Sequence, residues 1–376
     1  MIKQEPIEAG VVRLRPYRDS DADDVATACA DPITQHFLPG LPSPYTRDDA
    51  VWWITEGAPA AWARGGAAYA VADPATDRLL GGVGLGGVEP ERGKGEIGYW
   101  TAPWARGRGV ATAAARALAA RAFESGFARL ELLAALENPR SQRVAFAAGF
   151  RLEGVRRGAL PGSGGGARRD AVAFARLAED PPSPTARLLP DLPGGALTDG
   201  VVTLRPVGPG DVDFYYGLLN TPDVTATIVP PIGPDHEEVR LRCVRAEARW
   251  LSGERADLLI VDAASGRAAG DIGLYYGEPA TGQAMVGYCL LPEFRGRGLA
   301  TRACVLLARW AFGHTGIGRL IAGTNPTNVG SQRVLGRAGF RNEGYQRGRL
   351  PGLHGGRVDD VLFGLLPQDL PPLSGS

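Results

Sequence analysis

The sequence of 376 residues exceeds the usual size of one domain, and its 44% hydrophobic and 22% charged residues are typical of a globular protein. Basic and acidic residues are equal in number, at 41 each, so the overall charge does not favour nucleic-acid binding. No run approaches the roughly 18 apolar residues of a membrane helix, and the start lacks the basic flank and apolar run of a secretory signal. Length and composition therefore predict two domains in a cytoplasmic protein that binds neither nucleic acid nor membrane.

The cysteines lie inside apolar stretches and show no C-x-x-C spacing. They are Cys29, Cys243, Cys289 and Cys304. This pattern favours reduced, buried thiols over disulfides or a zinc site. The sequence thus predicts no metal.

The first predicted elements are a strand and two helices. Val11 to Tyr17 alternates between apolar and polar residues, as a strand does. Asp19 or Ser20 can cap the first helix, and Thr46 can cap the second. Later periodicities predict three strands, a helix, a strand, a helix and two more strands, which is an α/β pattern.

Two of those three strands form a predicted hairpin over residues 67–87, and the third strand spans 95–101. The run GGVGLGG at 81–87 has glycine spacing similar to that of dinucleotide sites. No helix follows this run, so we interpret it as part of the hairpin.

An internal repeat organises the whole chain, because the same motifs recur in the same order 189 or 190 residues later. The pairs are VVRLRP at 11–16 with VVTLRP at 201–206, GYWTAPWARGRGVAT at 98–112 with GYCLLPEFRGRGLAT at 287–301, and NPRSQRVAFAAGF at 138–150 with NVGSQRVLGRAGF at 328–340. Repeats of this length are whole domains, since solenoid units recur roughly every 20 to 50 residues. We predict a first domain at 10–178, a Pro/Gly-rich linker at 179–198 and a second domain at 199–367.

A glycine-rich turn opens a long predicted helix in each unit; in the first, this helix ends near Gly126. A strand followed by such a turn leaves several backbone N–H groups directed at one place, where they favour an anion. The turns are Arg106-Gly107-Arg108-Gly109-Val110-Ala111 and Arg295-Gly296-Arg297-Gly298-Leu299-Ala300. A pyrophosphate fits such a turn, and the two arginines of each could add positive charge.

These turns resemble the R/Q-x-x-G-x-G/A signature of the GNAT superfamily, where it binds the pyrophosphate of acetyl-CoA. The GYW strand before the first turn, and the N-x-x-S and GF motifs after both turns, resemble the RimJ/RimL-type branch, which acetylates protein N-terminal or other primary amines. The matching residues are Asn138, Ser141, Gly149 and Phe150 in the first unit, and Asn328, Ser331, Gly339 and Phe340 in the second. The resemblance covers nearly all of both units. It implies an α/β fold of two GNAT domains, each with a mixed, mostly antiparallel sheet flanked by helices.

The resemblance also implies acetyl-CoA as co-substrate and assigns its binding to residues in and around both turns. They are Trp100, Arg106, Gly107, Arg108, Gly109, Val110, Ala111, Thr112 and Asn138 in the first unit, and Leu290, Arg295, Gly296, Arg297, Gly298, Leu299, Ala300, Thr301 and Asn328 in the second.

Acetyl transfer from a thioester requires a neutral amine, a polarised carbonyl and a proton for the departing thiolate. An α-amino group is about a tenth neutral at pH 7, whereas a lysine is neutral only about 0.04% of the time. The barriers therefore differ by roughly 3 to 4 kcal/mol, and a site with one modest carboxylate suits α-amines better than lysines.

Glu96, on the strand before the first turn, is the predicted base, acting directly or through water. Met285 stands at its place in the second unit. This asymmetry predicts an active first unit and a second unit that binds cofactor, shapes the acceptor site, or uses another base such as Asp271.

A tyrosine four residues before the GF glycine often serves as general acid in the family, but Ala145 and Leu335 hold those positions. By resemblance, Ser141 and Ser331 are the substitutes. Both serines could instead only cap their helices, and the same alternative is open for Asn138 and Asn328.

Three functions are open at this point: acetylation of a protein N-terminus, acetylation of a small-molecule amine, and acyl-CoA binding without turnover by a sensor or scaffold protein. The third is suggested by the missing tyrosines and by Met285. RimJ/RimL-like proteins often pair as dimers, so the tandem could form a pseudo-dimer within one monomeric chain.

Overall fold

The computed structural model describes residues 2–162 and 166–372. The chain divides into two compact units, Met1–Ala186 and Arg187–Ser376. Each unit contains one eight-stranded sheet with helices packed on its faces. The predicted α/β class with a mixed, mostly antiparallel sheet is confirmed.

The first unit follows the predicted order of elements, with an extra edge strand and extra short helices. Its elements are β1 Ile7–Ala9, β2 Val12–Arg15, α1 Ala22–Ala30, α2 Pro32–Phe37, α3 Arg47–Trp52, α4 Ala58–Ala63, β3 Ala67–Ala72, β4 Leu79–Glu89, β5 Lys94–Thr101, α5 Val110–Glu124, β6 Arg129–Ala135, α6 Pro139–Ala147, β7 Arg151–Leu160 and β8 Arg169–Leu177. A π-helical turn, Trp53–Gly57, joins α3 to α4. The glycine run of β4 lies in the hairpin with β3, as predicted.

The second unit repeats this order. Its elements are β9 Leu197–Thr198, β10 Val202–Pro206, α7 Val212–Leu219, α8 Pro222–Thr225, α9 His236–Leu251, β11 Arg255–Asp262, β12 Ala268–Glu278, β13 Gln283–Leu290, α10 Leu299–His314, β14 Arg319–Thr324, α11 Val329–Arg337, β15 Arg341–Pro351 and β16 Arg357–Leu365.

The starts of the first helices show one correct and one wrong prediction. Thr46 caps α3 in a capping box, since its hydroxyl accepts from the Asp49 N–H and the Asp49 carboxylate accepts from the Thr46 N–H. Asp19 and Ser20 cap no α-helix, because they form a 3₁₀ turn, Asp19–Asp21, ahead of α1. The Asp21 carboxylate, at the end of this turn, accepts two hydrogen bonds from the Arg15 guanidinium, at 2.7 and 2.8 Å.

The second half of the predicted linker is part of the second unit. Leu189 and Leu192 are buried in its core, and β9 pairs with β10 at the sheet edge. Burying a leucine stabilises the fold by about 2 kcal/mol, which favours packing over a free spacer. The segment 187–198 therefore differs from the linker that its proline and glycine content predicted.

The two sheets share one topology, in the orders β1-β2-β3-β4-β5-β6-β8-β7 and β9-β10-β11-β12-β13-β14-β16-β15. The pairs β5–β6 and β13–β14 are parallel, and the other pairs are antiparallel. The parallel pairing of β5 with β6 ends at Glu96 opposite Glu131, although both strands continue. The strands therefore diverge beyond this rung, and their facing backbone groups do not pair across the gap. The second unit diverges after Met285 opposite Ile321.

Apolar side chains pack on both faces of the first sheet. One face carries α5, whose buried side is mostly alanine with Leu118, so this helix approaches the strands closely. The other face carries α1 and α3, which pack around Val25, Tyr45 and Leu79. Trp100 packs against that cluster. Glu96 lies on the same face as Trp100, because alternate residues of a strand share a face.

Candidate active site

Unpaired backbone N–H groups gather where β5 leads into α5. Gly107 and Gly109 have φ of +75° and +76°, a left-handed conformation that glycine adopts at little cost. The first bond of the helix runs from the Ala113 N–H to the Gly109 carbonyl at 3.0 Å. The N–H groups of residues 110–112 therefore have no helical acceptor, and no side chain caps Gly109.

The second unit repeats this turn, with φ of +74° at Gly296 and +79° at Gly298. A Cβ added at any of the four turn glycines would meet no atom within 4 Å. The glycines are thus required by the positive φ and not by crowding. Each turn faces open space in which an anion can approach the helix N-terminus.

Both arginines of the first turn are bound to carboxylates. Arg106 forms an ion pair with Asp31 and donates to the Thr34 hydroxyl at 3.0 Å. The hydrogen bond from Arg106 lowers the pKa of Asp31. Arg108 is more exposed and lies 3.9 Å from Asp73. The positive charge that the sequence assigned to this turn is therefore partly neutralised.

The second turn has the same arrangement. Arg295 lies 3.0 Å from Asp223 and donates to the Leu290 carbonyl at 3.2 Å. Arg297 lies 3.0 Å from Asp262. In both units the backbone N–H groups are the unpaired donors, and the arginines would have to exchange partners to reach an anion.

The other predicted cofactor residues divide by burial. Val110, Leu299 and Ala300 are buried in the core, so only their backbone can reach a ligand. Ala111, Thr112 and Thr301, in the first turns of the two helices, are half-buried. Trp100 and Leu290 are half-buried and pack against core clusters.

Ser141 lies in a small hydrogen-bonded group with Asn138 and Tyr99. The Asn138 side chain caps α6 by accepting the Ser141 N–H at 3.2 Å, so the helix cap is the asparagine and not the serine. The Tyr99 hydroxyl lies 2.8 Å from the Ser141 hydroxyl and donates to the Ser141 carbonyl at 3.1 Å. Burial raises the pKa of Tyr99, so this phenol stays protonated at neutral pH.

The second unit contains the same group. Asn328 accepts the Ser331 N–H at 3.0 Å, and the Tyr288 hydroxyl lies 2.9 Å from the Ser331 hydroxyl. Ala145 and Leu335, at the positions of the family's tyrosine, carry no ionisable group, and both are fully buried. Tyr99 belongs to the GYW strand that carried the family resemblance, and Tyr288 belongs to the matching GYC strand of the repeat. Only the structure brings the two tyrosines to the serines.

Glu96 is half-buried and has no hydrogen-bond or ion-pair partner among residues 2–162 and 166–372. Burial and the charge of Glu131 raise its pKa, against the opposing charges of Arg156 and Lys94. A carboxylate with free oxygens and a raised pKa, at the point where β5 and β6 diverge, is suited to accept a proton from an amine.

Glu131 was not predicted from the sequence and lies opposite Glu96 in the parallel register. Arg129 binds its carboxylate at 3.0 Å, Arg156 at 3.2 Å and Lys94 at 3.4 Å. Burial alone would raise the pKa of Glu131, but the hydrogen bonds from Arg156 and Arg129 outweigh it and lower that pKa. The two carboxyl groups thus differ in proton affinity, as acid–base pairs in active sites do.

Asp271, the alternative base considered for the second unit, is buried and already engaged. The Tyr215 hydroxyl donates to one carboxylate oxygen, and the Cys289 thiol donates to the other at 2.8 Å. Arg242 lies 3.7 Å away. An incoming amine would have to displace these partners before Asp271 could take its proton.

Within the described residues, no group of His, Cys, Asp or Glu is arranged to hold a metal ion. No helix of residues 2–162 and 166–372 is long and apolar enough to span a membrane. The four cysteines are free thiols.

The sequence profile of the family described as "Acetyltransferase (GNAT) domain" matches residues 12–151 and again residues 202–341. The chain belongs to the GNAT acetyltransferase family. Both matches contain the glycine turn and the asparagine–serine group, so each unit is a copy of the GNAT domain, and the tandem duplication and the acetyltransferase class are confirmed.

Two curated relatives of the GNAT chain are acetyltransferases by name. "Probable N-acetyltransferase YjcK" of Bacillus subtilis is 34% identical over 134 residues, covering 35% of this chain and 74% of the relative. The ribosomal-protein-serine acetyltransferase of Escherichia coli is 35% identical over 79 residues, covering 21% of this chain and 44% of the relative. A solved structure of Mycobacterium smegmatis RimJ in complex with CoA-disulfide is 24% identical, covers 47% of this chain and 88% of its own, and has a TM-score of 0.41.

Proposed function

We propose that this GNAT protein transfers the acetyl group of acetyl-CoA to a primary amine by direct attack on the thioester, and that the first unit performs the reaction. The observation that carries the proposal is Glu96, a carboxylate without a partner among the described residues, at the point where β5 and β6 diverge. Its counterpart, Met285, cannot accept a proton.

Acetyl-CoA binding is supported by the glycine turns and the diverging strands. The N–H groups of residues 110–112 would hold the pyrophosphate. The backbone groups that β5 and β6 leave unpaired could hydrogen-bond the rest of the cofactor along the gap. The second unit offers the same turn and the same gap, so we propose that it also binds acyl-CoA.

In the proposed reaction Glu96 takes the proton of the ammonium directly or through one water, and the neutral nitrogen attacks the thioester carbonyl carbon. The tetrahedral intermediate collapses with cleavage of the C–S bond. Ser141 gives its hydroxyl proton to the thiolate, the nitrogen of the new amide gives up its second proton to the serine oxygen, and Glu96 releases its proton to solvent. The Tyr99 hydroxyl, 2.8 Å from the serine oxygen, stabilises that oxygen by turning its proton from the Ser141 carbonyl toward it.

We propose a protein N-terminus as the acceptor. The RimJ/RimL resemblance and the E. coli relative, whose name describes it as acting on a ribosomal protein, both support a protein acceptor. A single free carboxylate also suits an α-amine, because such an amine is about a tenth neutral at pH 7. A small-molecule amine is the second candidate.

Three acceptors offered with acetyl-CoA test the proposal: a peptide with a free N-terminus and no lysine, the same peptide blocked at its N-terminus and carrying one lysine, and spermidine. Thiol release and mass-spectrometric localisation of the acetyl group should identify the free α-amine as the acceptor. Turnover of spermidine alone would favour a small-molecule acceptor. No thiol release with any acceptor, together with tight acetyl-CoA binding, would favour the non-catalytic sensor or scaffold.

A further inference from the structure

The charged groups around Glu96 differ between the two units as a set. The first unit has Lys94, Glu96, Glu131 and Arg156, and the matching residues of the second unit are Gln283, Met285, Ile321 and Gln346. The neighbouring ion pair is retained, as Arg129 with Glu153 at 2.6 Å and as Arg319 with Glu343. The GNAT fold therefore forms without these four charges, and a structural role alone does not account for them.

Glu131 and Glu96 occupy the last paired rung before the strands diverge. Adjacent strands lie about 4.8 Å apart, and residues on one rung point to the same face, so the two carboxylates are close neighbours. Glu131 is buried and fixed by three cations, whereas Glu96 is half-buried without such contacts. One carboxylate therefore has a fixed charge, and the other is free to react.

We propose that Glu131 is a positioning residue for acetyl transfer, whose fixed negative charge across the rung sets the basicity of Glu96. The proposal rests on the proposed function, in which Glu96 is the base. Glu131 does not touch the amine; it makes protonation of Glu96 more favourable by like-charge repulsion.

The charges around Glu96 come from three strands. β5 contributes Lys94, β6 contributes Glu131, and β7 contributes Arg156, while β4 places Gly86, without a side chain, opposite Glu96. Both cations bind Glu131, so their effect on Glu96 is partly cancelled. Removing the Glu131 charge would leave both cations free to stabilise ionised Glu96. The repulsion and the released cations act in the same direction.

The test is a titration of the side-chain carboxyl carbons by NMR in the full chain labelled with ¹³C-glutamate. The resonance that disappears in Glu96→Gln is that of Glu96. In Glu131→Gln its titration midpoint should fall by about one pH unit, the effect of one charge at this separation. Glu131→Asp keeps the charge and should keep the midpoint close to that of the wild type.

Glu153→Gln is the matched control. It removes a carboxylate from Arg129, the arginine that also binds Glu131, and it leaves both residues of the Glu96–Glu131 pair unchanged. Its Glu96 midpoint should equal that of the wild type. The same midpoint in wild type and Glu131→Gln would overturn the proposal, as would an equal shift in the control. This titration needs no acceptor, so its result is independent of whether the acceptor panel shows turnover.

A kinetic readout connects the shift to the reaction. With the free-N-terminus peptide, the acidic limb of the kcat/KM profile should move to lower pH in Glu131→Gln by the same amount as the NMR midpoint. If kcat/KM falls in Glu131→Gln but the acidic limb of its pH profile stays at the wild-type pH, Glu131 has a structural role only.

Discussion

Replacing Glu96 by glutamine tests the assignment of the base with little structural disturbance. The side chain makes no ion pair or hydrogen bond with the described residues, so the free energy of unfolding should change by less than about 0.5 kcal/mol. General base catalysis usually contributes about 10² to 10⁴ in rate, but about a tenth of an α-amine is already neutral at pH 7. We therefore expect kcat/KM at pH 7 to fall by about 10- to 100-fold, or about 1.4 to 2.7 kcal/mol of barrier.

The assay is thiol release from acetyl-CoA with the free-N-terminus peptide, measured at pH 7 and pH 9. The deficit of Glu96→Gln should shrink at pH 9, because most of the α-amine is then neutral without help from the enzyme. Met285→Gln is the matched change in the second unit and should leave the rate unchanged. A wild-type rate for Glu96→Gln at pH 7, or a loss in Met285→Gln, would refute the assignment of the base to the first unit.

Three further predictions concern stability, the general acid and the thiols. Arg15→Met should lower the free energy of unfolding in urea by about 3 to 5 kcal/mol, because the buried Arg15 guanidinium binds both Asp21 and Asp77 and its loss leaves the buried Asp21 carboxylate without an ion-pair partner. In the matched pair the Arg205 side chain is 43% exposed, so water can take its place beside Asp211 and Arg205→Met should cost about 1 kcal/mol. Equal losses in the two variants would contradict this difference. Ser141→Ala should lower kcat at least about tenfold in the thiol-release assay and Ser331→Ala should not, whereas a silent Ser141→Ala would remove the serine from the mechanism. Burial raises the pKa of the four cysteine thiols, to about 11 or 12 for three of them. An aromatic disulfide reagent at pH 8 should therefore react with none of the thiols in the folded protein and with all four in denaturant. Rapid reaction in the folded state would show that the thiols are accessible.

The features that could be predicted from the sequence are local ones. The glycine turns and the Thr46 cap depend on residues close together in the chain, and short-range backbone physics defines them. The repeat is visible because each of its motifs is a short, contiguous run of residues. The cap of α6 by Asn138, one of the capping residues that the sequence left open, also lies within one helical turn. Such features are visible because their residue types and spacing are themselves the signal.

The features that were missed depend on strand pairing or on competition between partners. Glu131 meets Glu96 only because β5 and β6 pair in parallel across an intervening helix, and no spacing in the sequence encodes that register. The ion pair of Arg106 with Asp31 was also not predicted, because the two residues are far apart in sequence and meet only in the folded domain. The burial of Leu189 was not predicted, because the segment around it is rich in proline and glycine and its core contacts come from strands distant in sequence.

Calorimetric titration of acetyl-CoA into the wild type and into the Gly109→Trp and Gly298→Trp variants tests the central claim most directly. A bulky side chain at a turn glycine enters the open space before the helix and forces an unfavourable positive φ, at a cost of about 1 to 2 kcal/mol. Circular dichroism of both variants checks that they remain folded. The account predicts two sites in the wild type and one in each variant, with amine acetylation lost in Gly109→Trp. No binding to the wild type, or two sites remaining in either folded variant, would contradict it.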